Sequence, residues 1–330
     1  MSNAPGSPPT SARDSNATQL GPPELGLSVV IVTLGRRLDS LERTLASVAA
    51  QSYPDLEILV VLNGAEDAAV AALAARHGAR LFLEPRRGQC FGRNCGLREA
   101  RGGIVAFTDD DVIVAPGWAE EIVKGFTDPR VWCVTGAVAL DGPGYIPDEW
   151  CNSERMRSAW TLDRTGEDWF LKGLLIDTGF GCNMAYRREA FPRFGLFPTD
   201  LGTGTVISGG DEYYMFLQVL KHGGVLAHRP AALVRLAFCE PPEEQRRRLK
   251  EMHAGAVAFF LKLLHRERGH RWDLLRRLFR AVGKLARTPP SALPERGVRL
   301  SRWEKLLAFS GGVRVYLRSE RNRRALGEGP

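Results

Sequence analysis

Three consecutive carboxylates, Asp109, Asp110 and Asp111, follow an apolar run at 104–107, with Thr108 between. Such a run predicts a buried strand, and open α/β sheets bind ligands beyond the carboxyl ends of their strands. Because side chains alternate along an extended segment, we expect Asp109 and Asp111 to point the same way. Two hard oxygen ligands on one side suit Mg²⁺ or Mn²⁺, which also takes oxygens from a diphosphate. A solvated acidic turn is the alternative, and the apolar strand favours the metal site.

A second acidic pair, Asp211 and Glu212, follows the glycine-containing loop 208–210 and opens a helix predicted at 212–222. Carboxylates in a first helical turn are often only partners of the helix dipole. A carboxylate that faces a metal site can instead act as a general base. The spacing alone does not decide between these roles.

Basic and small side chains, among them Arg86, Arg87, Gly92 and Arg93, precede the acidic strand. Side chains of these types near a helix start can hold phosphate or ribose oxygens. Taken alone, the pattern is also typical of an ordinary basic loop before a helix.

Alternating strands and helices must position these groups. β-Branched apolar runs and helical spacing predict a doubly wound α/β sheet, mostly parallel and flanked by helices. The later part of the chain mixes strands and helices and ends in basic helices. The predicted strands cover 27–34, 56–63, 79–84, 102–111, 131–140 and 180–186. The predicted helices cover a segment that begins after Asp39 and ends before 53–54, then 65–77, 89–101, 212–222, 243–268, 272–286 and a segment from 303, with weakly helical sequence at 149–168.

Composition narrows the classes of protein further. With 44% hydrophobic and 25% charged residues in 330, the chain is neither wholly disordered nor coiled coil. Six cysteines without a CxxC pair exclude a disulfide scaffold and argue against a zinc ribbon, so we expect reduced thiols in a cytoplasmic protein. From residue 246 onward there are 22 basic and 7 acidic residues, whereas the first 245 residues are net acidic. This asymmetry predicts that the acidic front and the basic tail have two different roles, or that one part carries the function and the other determines where the protein is located.

Four blocks of the chain, in this order, resemble family 2 glycosyltransferases of the GT-A fold. LSVVIVTLGRR resembles the family's opening nucleotide-binding strand, and RGQCFGRNCGLREARGGIVAFTDDD is similar to the helix that runs into its DxD strand. TGFGCNMAYRREAF resembles the acceptor-side block, and GGDEYYMFLQVLKHGG with HRPAALV resembles the block that contains the catalytic acid. The resemblance spans residues 27–236.

The resemblance implies an inverting transfer from a nucleotide-diphosphate sugar to a hydroxyl of a glycan, a lipid-linked or a small-molecule acceptor. A metal at Asp109 and Asp111, Mg²⁺ or Mn²⁺, would bridge the diphosphate, and a carboxylate of the 211–212 pair would remove the acceptor proton. The site residues that it implies are Thr33, Arg36, Asn63, Arg93, Asn94, Asp109 and Asp110 for the nucleotide sugar, Asp109 and Asp111 for the metal, Gly181, Asn183 and Gly210 on the acceptor side, and Glu212 or Asp211 as the base.

The same resemblance divides the chain. It implies a catalytic domain at 27–240, with a donor half at 27–111 and an acceptor half at 112–240. The leader 1–26 has almost no large apolar residues and no apolar core of a signal peptide, which predicts disorder and no secretory signal. A basic helical extension follows at 241–330.

Three departures from the family pattern qualify these expectations. Asn63 stands where the family usually offers an Asp to the nucleotide base, which leaves the nucleotide open. The usual Glu-Asp order is reversed, so Glu212 takes the base position and Asp211 stays a candidate. The Gln-x-x-Arg-Trp signature of processive synthases is incomplete, since Leu249 replaces the Trp. We therefore expect a transferase of single sugars.

Two other classes stay open at this point. A nucleotidyltransferase also uses a doubly wound sheet with carboxylate-bound metal, but it would favour a phosphate loop with a lysine where this chain has 34–37, LGRR. A non-catalytic lipid- or protein-binding module on a transferase scaffold is the third class, and the two acidic clusters argue against it.

The basic tail has two interpretations. Amphipathic helices at 246–330 can pack on the catalytic domain with their cations in solvent, or they can lie on anionic lipid as a peripheral contact at the inner membrane face. No transmembrane stretch is predicted. Nucleic-acid binding is not predicted, because the chain offers charge without a recognition module.

Overall fold

The computed structural model describes residues 26–142, 148–236, 241–278 and 300–325, and its first half alternates strands and helices as predicted. Short 3₁₀ turns lie at Ile176–Thr178, Arg188–Ala190 and Arg268–His270. The elements before residue 142 are β1 (Leu27–Thr33), α1 (Leu38–Ala49), β2 (Leu56–Leu62), α2 (Ala68–Arg76), β3 (Arg80–Leu83), α3 (Gln89–Glu99), β4 (Ile104–Asp109), β5 (Val112–Val114), α4 (Trp118–Lys124) and β6 (Val131–Leu140). Those that follow are α5 (Asp148–Cys151), α6 (Glu154–Arg157), β7 (Trp160–Leu162), α7 (Trp169–Gly173), β8 (Met184–Arg187), α8 (Phe191–Phe194), α9 (Asp211–Lys221), β9 (Val225–Leu236), α10 (Pro242–Arg266), α11 (271–278) and α12 (Arg302–Ala325).

Within the described residues, a nine-stranded mixed sheet runs in the order β3-β2-β1-β4-β8-β6-β9-β5, with β7 paired to β9. The strands β3, β2, β1 and β4 are all parallel. The strand β8 is antiparallel to both β4 and β6, and β6 is parallel to β9. The expected sheet of the GT-A type is thus confirmed, and it places the carboxyl ends of β1 and β4 side by side.

The strand β1 is buried on both faces, as its unbroken β-branched run predicts. Val29 and Ile31 pack into the core on one side of the sheet, and Val30 packs into the core on the other. The helix α3 lies on the Val30 side and approaches closely through Gly96. A Cβ atom at Gly96 would stand 2.3 Å from Val30 Cγ1, so only glycine allows this distance. This contact fixes the distance between α3 and the sheet, and with it the position of the polar side chains that α3 carries.

The second half differs from the prediction in three places. The segment 149–168 contains two single-turn helices and the strand β7 instead of one weak helix. The strand β9 was not predicted, because Pro230 makes its sequence untypical of a strand. In the structure Pro230 lies in an irregularity where the pairing with β6 skips from Arg229 to Val234, which removes the need for its missing N–H. The helix predicted at 272–286 is present at 271–278, and the rest lies outside the described residues.

The extension packs against the rest of the chain. Gly255 of α10 lies so close to the Ser208 carbonyl that a Cβ atom there would stand 1.8 Å from its oxygen. The buried Lys262 ammonium pairs with Asp200 in the loop before α9, and Ser319 Oγ of α12 lies 3.4 Å from the same carboxylate. None of the described helices is long and apolar enough to cross a membrane.

Five of the six cysteines lie in the described part of the chain. Among these residues no disulfide forms, and Cys90, Cys95, Cys133, Cys151 and Cys182 are all buried. Cys239 lies outside the described residues, as does the predicted leader except for Gly26.

Replacing Gly96 with Ala is expected to lower the free energy of unfolding by about 1–3 kcal/mol, because the added methyl group overpacks the contact with Val30. Urea unfolding followed by circular dichroism measures the change. Gly166→Ala is the matched control, since a Cβ atom at Gly166 meets nothing within 4 Å. Equal midpoints for the two variants would contradict the close approach of α3 to β1.

Candidate active site

The acidic motif lies where β4 ends. Asp109 is the last residue of β4, and the chain then turns, so the strict alternation expected for Asp109 and Asp111 does not continue. Gln89 Nε2 at the start of α3 donates to Asp109 Oδ1 over 2.8 Å. Thr33 Oγ1 at the end of β1 donates to Asp110 Oδ2 over 2.6 Å. The adjacent ends of β1 and β4 therefore bring the first two predicted blocks together.

An arginine that the sequence analysis passed over binds two of these carboxylates. Arg37 Nη2 lies 3.1 Å from Asp110 Oδ1 and 3.0 Å from Asp111 Oδ2. The predicted residue, Arg36, is exposed instead. The arginine pair after β1 signalled a basic group at this position, but the direction in which the chain leaves β1 decides which of the two faces the acids.

Burial disfavours the ionised forms of two carboxylates in the acidic cluster. Burial raises the pKa of Asp109 to about 7, with a further increase from Asp111 and Asp110 that Arg93 opposes. Burial and Asp110 also raise the pKa of Asp111, against the attraction of Arg37 and of Arg248 from α10. Two half-buried carboxylates that resist ionisation together are typical of a site that takes a cation.

A divalent cation at this site would need several ligands, of which the side chains supply only some. Across the described parts of the chain, no group of three or more His, Cys, Asp or Glu side chains is arranged to hold a metal ion. Asp109 and Asp111 offer hard oxygens only, which suits Mg²⁺ or Mn²⁺ and not Zn²⁺. These residues fit a cation whose remaining ligands come from a diphosphate and water.

A buried guanidinium joins the two acidic motifs. Arg93 of α3 binds Asp211 through Nη1, and its Nη2 lies 3.0 Å from the Gly181 carbonyl oxygen and 3.7 Å from Asp109 Oδ1. Burial opposes the charged guanidinium, but Asp211 and Asp109 outweigh it and raise the pKa of Arg93. The side chains of Arg93 and Asp211 are 3% and 4% exposed, so this pair is part of the protein interior.

Glu212 is more exposed than Asp211, which is buried in its pair with Arg93. It stands half-buried in the first turn of α9, after Gly210, whose φ of +83° and contact with Phe259 exclude larger residues. Burial and the Asp211 charge raise the pKa of Glu212 to about 8. A half-buried carboxylate with a raised pKa is suited to accept a proton near neutral pH.

Three predicted asparagines use their amides within the protein. Asn63 donates to the carbonyls of Glu84 and Arg86 and accepts from the Gly88 N–H. Asn94 donates to and accepts from the backbone of Phe197. Asn183 donates to the carbonyls of Ala137 and Ala232 and accepts from the Trp118 indole. These hydrogen bonds hold the loops around the site in place. The ligand roles predicted for the three asparagines stay predictions.

Arg37, Gln89 and Arg248 are the side chains at the site that sequence reasoning missed. Gln89 lies inside a block already singled out, at the predicted helix start, and its reach to Asp109 depends on the placement of α3 over β4. Arg248 comes from the extension, so only the packing of α10 against the catalytic part reveals it.

Comparisons with known proteins agree with this geometry. The chain is 30% identical over 224 residues to the succinoglycan biosynthesis protein ExoM of Rhizobium meliloti, which covers 64% of this chain and 65% of that protein. It is 27% identical over 188 residues to the glucosyl-dolichyl phosphate glucuronosyltransferase of Haloferax volcanii, covering 53% and 57%. The chain thus matches less than two thirds of the length of either relative.

Solved structures share the fold. The mannosyltransferase PcManGT from Pyrobaculum calidifontis, in complex with GDP-Man and Mn²⁺, superposes with a TM-score of 0.54 at 19% identity, covering 90% of this chain and 75% of that one. TarS from S. aureus gives a TM-score of 0.52 at 13% identity, covering 72% and 40%. The family model "Glycosyl transferase family 2" matches residues 28–195, which is half of the chain and includes the acidic motif of β4 and the Arg93 helix. The chain therefore belongs to glycosyl transferase family 2.

Proposed function

We propose that this glycosyltransferase moves a single sugar, with inversion, from a nucleotide-diphosphate sugar to an acceptor hydroxyl. The main support for the proposal is the buried Arg93. Its guanidinium pairs with the carboxylate of Asp211 and lies 3.7 Å from that of Asp109. One side chain thereby ties the group that would hold the donor to the group that would activate the acceptor. Family membership leaves the nucleotidyltransferase alternative without support.

On the donor side, the diphosphate would be bound by electrostatic attraction to a cation. Asp109 and Asp111 would hold Mg²⁺ or Mn²⁺, and the mannosyltransferase of similar fold was solved with a nucleotide sugar and Mn²⁺. The cation, when bound, offsets the charge that develops on the departing nucleoside diphosphate. Gln89 and Arg37 hold the carboxylates in place, so the ligands are oriented before the donor arrives.

The acceptor side needs a group that removes a proton from the attacking hydroxyl. Glu212 is the candidate that the geometry favours, because Asp211 is already paired with Arg93 in the interior. We assign Asp211 a positioning role, in which it fixes Arg93 and the first turn of α9. The hydroxyl then attacks the anomeric carbon in one displacement, without a covalent enzyme intermediate.

The acceptor itself is proposed only by class. The two similar proteins are named for succinoglycan biosynthesis and for transfer to glucosyl-dolichyl phosphate. Both names describe the growth of a glycan or glycoconjugate. A sugar hydroxyl on a glycan or on a lipid-linked glycan is therefore the acceptor class that we propose.

Asp111→Asn is expected to weaken Mn²⁺-dependent binding of a nucleoside diphosphate by at least about tenfold, because one hard anionic ligand is lost. Calorimetric titration with UDP and with GDP, each with Mn²⁺ and with EDTA, measures the loss and also ranks the two bases. Asp128→Asn, at an exposed carboxylate in the turn before β6, is the control. Wild-type affinity in Asp111→Asn would contradict the metal assignment.

Glu212→Gln is expected to reduce kcat for transfer by about 10²–10⁴-fold and to leave nucleoside-diphosphate binding unchanged. Asp211→Asn is the comparison, and we expect it to lower the unfolding midpoint as well as activity because it leaves Arg93 without its partner. Product nucleoside diphosphate, detected by a coupled assay, reports the rate. Near-normal turnover in Glu212→Gln would transfer the base role to Asp211.

The rate should also depend on pH in a direction set by Glu212. The base must be ionised to accept a proton, so kcat/KM should rise as pH approaches about 8, the pKa of Glu212. Rates between pH 5.5 and 9, at saturating Mn²⁺ and subsaturating acceptor, measure the profile. A rate that is flat over this range, or that falls from pH 6 to pH 8, would contradict a base with a raised pKa.

A further inference from the structure

The outer face of α12 exposes large apolar side chains. Trp303 is 77% exposed, Leu307 66% and Leu306 61%, and Phe309 and Leu317 are each 50% exposed. Half of the exposed large hydrophobic residues in the described parts of the chain lie on this one helix. Clustering on a single helix distinguishes them from the singly scattered apolar residues of an ordinary surface.

Helical spacing places all of these residues except Phe309 in one stripe with cations. Trp303, Leu306 and Leu307 are three and four residues apart, and Leu317 follows on the same face. Arg314, Arg318 and Arg321 are exposed and continue this stripe toward the carboxyl end of the helix. No described carboxylate lies on the stripe: Glu304 binds Lys250 and Arg246 of α10, and Glu320 is 8% exposed.

The opposite face of α12 is the one that packs on the protein. Ala308 and Ser319 are buried, and Gly312 lies against Ala254 and Val257 of α10. Ser319 also reaches Asp200, the partner of Lys262. The two interpretations of the basic tail therefore apply to two faces of one helix, and intramolecular packing accounts for only one of them.

We propose that the outer face of α12 docks on the surface of an anionic lipid bilayer. An interfacial helix inserts apolar and aromatic side chains at the headgroup boundary while its arginines contact lipid phosphates. The stripe supplies both chemistries along the same side of a 24-residue helix. A second copy of the chain is a poorer partner, because it would bury three arginines against a stripe without carboxylates.

Vesicle sedimentation of the full chain tests the proposal. We expect binding to vesicles of phosphatidylcholine with 30% phosphatidylglycerol, and at least tenfold weaker binding to phosphatidylcholine alone. The double variant Leu306→Glu, Leu307→Glu should weaken binding to the anionic vesicles at least tenfold. Leu196→Glu, at a 49% exposed leucine in the loop after α8, is the matched control and should bind as wild type. Circular dichroism verifies that each variant is folded.

A second variant separates charge from apolar contact. Arg314→Gln, Arg318→Gln and Arg321→Gln together should weaken binding and reduce its dependence on salt, since three phosphate contacts are lost. Equal binding to neutral and anionic vesicles, or unchanged binding by both α12 variants, would overturn the proposal. So would light scattering that shows a dimer which the Leu306→Glu, Leu307→Glu variant dissociates, because the face would then be an interface between copies.

Discussion

The site depends on one buried ion pair, that between Arg93 and Asp211. A guanidinium inside a protein is stable only with well-placed partners, and removing one member of such a pair costs about 3–5 kcal/mol. Here the partners are a carboxylate of α9, a backbone carbonyl at Gly181 and, at longer range, Asp109 of β4. The pair therefore fixes the distance between the acidic motif of β4 and the start of α9. It also engages Asp211, whereas the neighbouring Glu212 stays half-buried in the first turn of α9.

Much of the donor side could be predicted from the sequence, because it is built from local patterns. The apolar run of β4 ends in carboxylates, and the parallel register of β1 with β4 places Thr33 beside them. Arg37 in place of Arg36 could not be predicted, since the choice depends on where the chain leaves the strand. The asparagines were even harder to interpret, because an amide that can read a nucleotide base can equally clamp a loop. The contacts of Asn63 with Glu84 and Gly88 depend on the folded loop and have no local signal in the sequence.

The part of the chain after β4 was less predictable for a physical reason. The strand β9 contains Pro230 within an irregular pairing with β6, and β7 and β5 are three residues each, too short for a periodic signal. These strands depend on contacts far apart in sequence, which local propensity does not encode. The helix α9 was correctly predicted, since its amphipathic pattern is long and its start is marked by Gly210 and two acids.

The contact of the extension with Asp200 has a consequence for how the chain can be divided. The loop that carries Asp200 also contains Thr203, whose carbonyl accepts from the Gln89 N–H, and Gly202, which packs against Asp211. Through this loop, the Lys262–Asp200 ion pair supports both the start of α3 and Asp211, the partner of Arg93. A chain shortened at residue 240 would lose Lys262, and Asp200 would lose the ammonium group that pairs with it. In folding terms the helices after 240 are therefore part of the structure that holds the candidate site, although in sequence they follow the segment that the family model matches.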